Sequence, residues 1–353
     1  MDAPEWVNNS NVMAFPLSVC RASSPRLALH KGSLECFGLL RGSSPEMLQV
    51  YRMIERVAGA GSTVLIVGES GSGKELAAST IHMLSQRKAK QFVAVNCAAI
   101  PSTLIEAELF GYERGAFTGA AKTHRGYFER AEGGTLFLDE ITEMTPEMQA
   151  RLLRVLETGK FYRVGSEHER NADVRIIAAT NRDPAMAVNN NCLREDLMYR
   201  LAVFPIVLPP LRLRGSDVEL LAHYFLEDLN QGAGAEKEFS TSSLTALRTH
   251  SWPGNVRELK NCIERAFLLA DKTIELRADA LPAVAAHSAD GFLSFPVGTS
   301  LAEIEKKTIY ATLERYGGNK RRCAEVLGVS LKTLYNRLTE YSAQRDYQVA
   351  AQT

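Results

Sequence analysis

The stretch TVLIVGESGSGKELAAS constrains the fold more than any other part of the chain. An apolar run from Val64 to Val67 leads into a loop with glycines at Gly68, Gly71 and Gly73, and a helix-forming segment follows at once. A buried strand feeding a glycine-rich turn and a helix N-terminus suits phosphate, because backbone N–H groups and the helix dipole both face the anion. Gly68, Glu69, Ser70, Gly71, Ser72, Gly73, Lys74 and Glu75 are therefore the candidate nucleotide loop, with Lys74 able to reach the terminal phosphates. Such a loop alone is also what a flexible turn looks like; the order strand, loop, helix carries the reading. The Ser or Thr usual after the lysine is Glu75 here, which leaves the direct Mg²⁺ ligand open, a water-mediated contact being one solution.

The rest of the first two thirds fits the same plan. FVAVNCA, GTLFLDEI and VRIIAATN are three further short β-rich segments separated by helical stretches, which indicates an α/β fold with a largely parallel sheet. Ahead of them, Met47, Val50, Tyr51, Ile54 and Val57 recur at helical spacing. After FPIVLPPLRLR the pattern becomes helical without further strand signals. The expected organisation is a short arm over 1–42, an α/β subdomain over 43–208 and an all-helical lobe over 209–276. An Ala/Pro/Ser/Gly-rich linker over 277–299 and a small helical domain over 300–345 follow.

TLFLDEI ends a buried strand on two adjacent acids, and desolvating unpaired charge is costly. Asp139 is the candidate for holding Mg²⁺ and Glu140 for orienting and polarising an attacking water. Solvated acids capping a strand end are the plainer alternative.

At 353 residues and 45% hydrophobic content the chain can bury a substantial core. Lys+Arg and Asp+Glu balance at 41 each, so contact with nucleic acid must come from local asymmetry, and that appears late in the chain. The six cysteines form no CxxC pair and read as reduced, mostly buried thiols. The acidic, polar start MDAPEWVNNS and the lack of a membrane-length apolar run suggest a cytoplasmic protein with no membrane partner.

Seven segments in order, GESGSGKE, ELFGYERGAFTGA, GTLFLDEI, AATNRD, LREDLMYRL, WPGNVRELKN and GGNKRRCAEVLGVSLKTLYNRL, resemble the AAA+ ATPases. More narrowly, they resemble the bacterial activators of sigma-54 RNA polymerase. The resemblance covers nearly everything from about residue 37. It implies that Gly115, Ala116, Phe117, Thr118, Gly119 and Ala120 form the surface loop that grips the sigma factor. The two glycines permit backbone angles closed to other residues, so the loop extends or folds back cheaply. An exposed Phe117 beside Thr118 would then be an apolar probe for another protein, the alternative being a Phe117 tucked into its own core. The resemblance further implies that Thr180 and Asn181 sense the γ-phosphate, that Arg257 reaches the nucleotide from the helical lobe, and that Asn96 restrains Glu140. Arg194 and Arg200 match arginines offered to a neighbouring subunit's nucleotide, although Leu193 and Met198 replace aromatic residues often found there. Surface ion pairs for the arginines, and a plain amide hydrogen bond for Asn96, remain the simpler alternatives. Fingers and phosphate loop on different subunits imply a ring, expected to be a hexamer, of one chain or shared with a paralogue.

From Ser300 the chain resembles a Fis-like helix-turn-helix: Ser300 and Glu303 can form a capping box, Gly328 can stop one helix and Ser330 can cap the next. Ala324, Val326, Leu327, Leu331, Leu334 and Leu338 would pack, leaving Lys332, Thr333, Asn336 and Arg337 towards a DNA major groove, with Lys320, Arg321 and Arg322 on phosphates. The function so implied is a DNA-bound, ATP- and Mg²⁺-dependent ring that remodels the sigma-54 polymerase closed complex from an enhancer. The competing readings are a DNA-binding regulator whose ATPase lobe is only a scaffold, and a general AAA+ unfoldase or clamp loader. Only a short arm precedes the ATPase, so control is expected from a separate regulatory protein or from expression level.

Overall fold

The structure, a computed structural model, describes residues 36–276, 298–338 and 341, and the chain divides into two compact units at Ala283 and Val284. In the first unit the main elements are α1 (Pro45–Ala58), β1 (Val64–Val67), α2 (Lys74–Met83), β2 (Phe92–Asn96), β3 (Thr135–Asp139), α3 (Pro146–Thr158), β4 (Arg175–Thr180), α4 (Glu195–Leu201) and β5 (Phe204–Val207). α5 (Asp217–Ala233), α6 (Thr241–Thr249) and α7 (Asn255–Leu269) then form the helical lobe.

The five strands are parallel in the order β2-β3-β4-β1-β5. Four of them match the expected segments. The fifth, β5, carries Pro205, which cannot donate to a ladder and is tolerated because β5 lies at the sheet edge. Side chains alternate between the sheet's two faces. Leu65, Leu136, Leu138 and Ala178 pack under α3 and α4, while Ile66, Phe137, Ile177 and Ile206 pack under α1 and α2. α1 starts at Ser44, whose hydroxyl accepts from the Met47 N–H, with Pro45 in the first turn, and it buries all five residues expected from its periodicity.

Residues 36–42, the end of the segment read as an arm, are ordered against α1. Cys36–Phe37 pairs antiparallel with Leu40–Arg41, Phe37 stacks on Tyr51 at 5.0 Å, and the Tyr51 hydroxyl donates to the Gly42 carbonyl at 3.1 Å. Residues 1–35 and most of the expected linker, 277–297, lie outside the described residues.

The helical lobe closes around a fully buried Trp252, whose indole N–H donates to the Leu247 carbonyl at 2.9 Å. It also holds a short parallel pairing of Glu238–Phe239 with Thr273–Ile274 where no strand signal was read. Its junction with the sheet is polar and buried. The Asp217 carboxylate accepts from the Ser43 and Ser44 N–H groups at 2.7 and 3.0 Å, and Arg214 donates to the Pro209 and Ser72 carbonyls at 2.9 and 2.7 Å.

The second unit contains α8 (Leu301–Arg315), α9 (Lys320–Leu327) and a helix over 331–338 around Ile309, Cys323, Ala324, Leu334 and Tyr341. Ser300 accepts from the Glu303 N–H at 3.3 Å, Gly328 ends α9 in the left-handed region, and Ser330 accepts from the Thr333 N–H at 3.0 Å. Two residues expected to pack do not: Val326 is 49% and Leu331 41% exposed. The buried stripe of α9 runs through Cys323, Ala324 and Leu327, and at 100° per residue Val326 falls off its edge. Leu331 stands at the first residue of the last helix, outside that cluster.

The described cysteines, Cys36, Cys97, Cys192, Cys262 and Cys323, form no disulfide with one another, and Cys97, Cys262 and Cys323 are buried. Burial, then the nearby Asp139 carboxylate, pushes the Cys97 thiol up to about 12. Among the described residues no helix is long and apolar enough to cross a membrane.

Candidate nucleotide site, flanking loop and DNA-reading face

The loop between β1 and α2 is held from both ends. Gly68 N–H donates to the Thr180 carbonyl at 3.1 Å, fastening it to β4, and Ser72 N–H donates to the Glu69 carbonyl at 3.2 Å. Gly71 and Gly73 have φ of 77° and 104°, and a Cβ on Gly71 would stand 2.3 Å from the Gly254 carbonyl of the lid. Lys74, only 6% exposed, donates to the Gly68 carbonyl at 3.0 Å and pairs with Glu140 at 3.3 Å. Glu75 lies exposed in the first turn of α2.

These residues fit a polyphosphate. The Ser72 hydroxyl is buried with no protein partner among the described residues, beside a helix N-terminus and the Lys74 ammonium. Glu69, the acid within the turn, is drawn aside by Arg212 at 2.8 and 2.5 Å and by the Asn255 amide at 3.1 Å. Asp139 accepts from the Glu140 N–H at 3.1 Å; burial lifts its carboxyl above the ordinary range against the pull of Lys74. One such carboxylate suffices for a Mg²⁺ ion that keeps its waters and shares phosphate oxygens. Among the described residues no group of three or more His, Cys, Asp or Glu could hold a metal ion.

Glu140 has a left-handed backbone, φ 52°, and its second carboxylate oxygen accepts from the Asn181 N–H at 3.2 Å. Asn96 is the strand partner of Asp139, yet its amide oxygen accepts from Ala98 N–H at 2.9 Å, so Glu140 rests on Lys74 and Asn181 and not on Asn96. Thr180 is buried with its hydroxyl 3.3 Å from that of Thr142. Arg257 reaches the loop from the lid, donating to the Ser70 hydroxyl at 3.2 Å. Arg194 is paired with Asp196 at 2.7 Å and Arg200 donates to the Leu156 carbonyl at 2.8 Å, so their hydrogen bonds go to Asp196 and Leu156 and not to residues 68–75. Sequence reasoning missed Arg212, Arg214 and Asn255. The one available signal was an Asn following a Gly, a pair that tolerates positive φ, and Asn255 has φ 54°.

The GAFTGA loop is a tight turn. Gly115 N–H donates to the Ala120 carbonyl at 2.8 Å and Ala120 N–H to the Phe117 carbonyl at 3.0 Å, with φ of 85° and 108° at Gly115 and Gly119. Thr118 is exposed, Ala120 is buried and Ala116 lies against Gly165. Phe117 is 41% exposed, its ring edge-on to Tyr112 at 4.9 Å. Arg163 anchors the base: it donates to Glu129 at 2.7 and 2.6 Å and to Glu113 at 2.8 Å. Arg163 sits on a connection inside the antiparallel pair Lys160–Tyr162 and Glu169–Asn171, whose strands were not expected from sequence.

In the second unit Lys332, Thr333 and Asn336 are exposed, as are Lys320, Arg321 and Arg322. Lys320 lies over the Tyr335 ring at 4.7 Å, Arg322 pairs with Glu325 at 2.7 Å, and Arg337 pairs with Glu305 at 3.0 Å.

Three family models match in succession: the sigma-54 interaction domain over residues 40–207, the AAA+ ATPase lid domain over 212–291, and the bacterial regulatory protein, Fis family, over 300–341. The Nif-specific regulatory protein of Azotobacter vinelandii is 44% identical over 306 residues, covering 84% of this chain and 58% of that protein. The transcriptional regulatory protein FlbD of Caulobacter vibrioides is 45% identical over 314 residues, covering 84% of this chain and 69% of its own length. Among solved structures, NtrX from Brucella abortus in complex with ATP superposes with a TM-score of 0.64 at 37% identity, covering 86% of this chain and 69% of that one. With these three family models matched in succession, and with FlbD 45% identical and matched over more than two thirds of its length, this chain belongs to the sigma-54-dependent transcriptional activators, with an AAA+ ATPase domain, a helical lid and a Fis-type helix-turn-helix.

Proposed function

We propose that the protein binds enhancer DNA through its Fis-type domain and, as a hexameric ring, hydrolyses ATP to convert a sigma-54 RNA polymerase closed complex into an open one. The observation that carries the reading is the half-exposed Phe117 on a turn braced by Arg163, in the same folded unit as the Lys74, Asp139 and Glu140 cluster. A scaffold has no use for the acid pair, and an unfoldase or clamp loader has no use for the helix-turn-helix.

In this reading the Gly68–Glu75 loop and Ser72 bind the phosphates, Lys74 neutralises the terminal ones, and Arg257 orients the nucleotide from the lid. Glu140 accepts a proton from the attacking water, with the Asn181 N–H holding its second oxygen and Thr180 fixing the strand end beside it; Asn96 reaches Glu140 only if its amide turns away from Ala98. Mg²⁺ held at Asp139 would neutralise charge on the β- and γ-phosphates. Arg194 and Arg200 serve the neighbouring subunit. In the second unit Lys332, Thr333, Asn336 and Arg337 read bases while Lys320, Arg321 and Arg322 contact phosphates.

The test is ATP-dependent open-complex formation on a sigma-54 promoter with holoenzyme, comparing wild type with Thr118→Ala. The expected result is activity in the wild type and its loss in the variant, with ATP hydrolysis kept in both. A wild type that hydrolyses ATP and opens nothing overturns the remodelling reading.

A further inference from the structure

We infer that Asn255 is a positioning residue that sets the phosphate-binding loop from the lid before nucleotide arrives; the inference rests on the ATPase reading above. Asn255 is fully buried, a left-handed residue at the start of α7. Its amide oxygen accepts from the Leu211 N–H at 2.8 Å, where the chain leaves the sheet for the lid. Its amide nitrogen donates to the Glu69 carboxylate at 3.1 Å and to the Ser70 carbonyl at 3.0 Å, both in the loop. One planar group therefore spans three places: the sheet-to-lid junction, the lid helix and the loop.

Its neighbours reinforce the span. Val256 N–H donates to the Gly71 carbonyl at 3.1 Å, and Gly71 has room only because it lacks a Cβ. Arg212, one residue beyond Leu211, holds Glu69 from the other side. Asn255 itself points at loop backbone and Glu69 and not at the cradle around Ser72, so its influence passes through the loop. Removing the bridge frees a loop that the phosphates must then order at the expense of binding energy. At saturation the phosphates order it anyway. The expected signature is a weaker nucleotide affinity with little change in turnover.

Two variants test this in the full chain. Asn255→Gly keeps the left-handed backbone at no steric cost and removes the bridge. Asn255→Asp keeps the acceptor for Leu211 and replaces the donor facing Glu69 with an acceptor. Equilibrium titration with a fluorescent ATP analogue and with ADP is read alongside KM, kcat and thermal unfolding. Both variants are expected to weaken ATP and ADP binding about tenfold, as loss of a hydrogen bond to a charged group does, and to raise KM by the same factor. Turnover at saturation should stay near wild type in both, and Asn255→Gly is expected to unfold a few degrees earlier while staying folded at the assay temperature, because it leaves the Leu211 N–H without its acceptor. Affinity equal to wild type in Asn255→Gly overturns this inference alone, as does a fall in kcat without a rise in KM. If Asn255→Gly is unfolded at the assay temperature, Asn255→Asp decides by the same comparison. A wild type that binds nucleotide without hydrolysing it overturns the ATPase reading and leaves the affinity comparison to judge this one; a wild type that binds no nucleotide overturns both.

Discussion

Lys74 and Glu140 form an ion pair of 3.3 Å, the ammonium 6% and the carboxylate 16% exposed, so the loop lysine and the candidate base occupy each other. On the proposed ATPase reading, drawing Lys74 onto phosphate would release Glu140 to act on water. Glu140→Gln is expected to bind ATP in the wild-type range and to lower hydrolysis by about 100-fold or more, the usual contribution of a general base. Lys74→Ala should lose both. Nucleotide titration beside phosphate release separates the two.

Arg200 rests on a carbonyl of its own chain and Arg194 on Asp196, so neither completes the site from within. Arg200→Ala is expected to bind ATP normally while hydrolysis falls about 10³-fold, the scale of an arginine supplied in trans. Mixing Arg200→Ala with Lys74→Ala protein should restore part of the activity, because in the proposed ring some junctions would pair an intact Lys74 with an intact Arg200. The readout is phosphate release against mixing ratio; a flat line places Arg200 outside the junction.

Arg163 and Glu129 are each 9% exposed and doubly bonded to one another. Arg163→Met is expected to cost about 1–3 kcal/mol, because it leaves the buried Glu129 carboxylate only the longer contacts to Arg170 and Arg125 at 3.5 and 3.8 Å, and to uncouple the GAFTGA turn from its base. Denaturant unfolding gives the first effect. Open-complex formation with ATPase retained gives the second.

The same anchor sets a pH limit. Burial pushes the Glu129 carboxyl up, but its hydrogen bond and charge contact with Arg163 prevail, and Arg163 also holds Glu113 down, so both sit below the ordinary range. A carboxyl depressed in the folded state adds stability that is full above its unfolded value, about 4.3, and is lost as pH falls through the folded one. The GAFTGA turn should therefore stay protected from neutrality down to about pH 5 and open only as pH falls below the ordinary carboxyl range, followed by amide hydrogen exchange at each pH. Arg163→Met should show the open loop at neutral pH.

For the DNA-reading face, Asn336→Ala is expected to cost about 1–3 kcal/mol on a specific site and almost nothing on random DNA, as a base-edge contact does. Lys320→Ala should weaken both alike and flatten the salt dependence by about one counterion. Titrations of both DNAs at several salt concentrations distinguish them.

The elements legible in the sequence were those whose signal is local. α1 announced itself through a stripe that is buried in full, and β1 to β4 through short apolar runs ended by Gly68, Asn96, Asp139 and Asn181. β5 was hidden by its proline, and the strands beside Arg163 by their length of three residues each, too short to show an alternation. Lys74, Asp139 and Glu140 could be read because their motifs are contiguous. Asn255, Arg212 and Arg214 could not, since each meets its loop partner across 140 or more residues of chain. Spacing likewise cannot say which way an amide turns, and Asn96 turns to its own backbone.

Pro209 and Pro210 join β5 to the lid, and Arg214 grips the Pro209 carbonyl and the Ser72 carbonyl at once. Fixed φ angles and a shared guanidinium make this joint a stiff axle. α7 starts at that axle and at the loop, and its 15 residues extend for about 22 Å at 1.5 Å each. A tilt of about 10° at Asn255 would swing the far end by about 4 Å over that length. Leu268 and Leu269, 82% and 81% exposed, ride at that end. A lever of that length would turn a fraction of an ångström at Ser70 into several ångströms at Leu268 and Leu269.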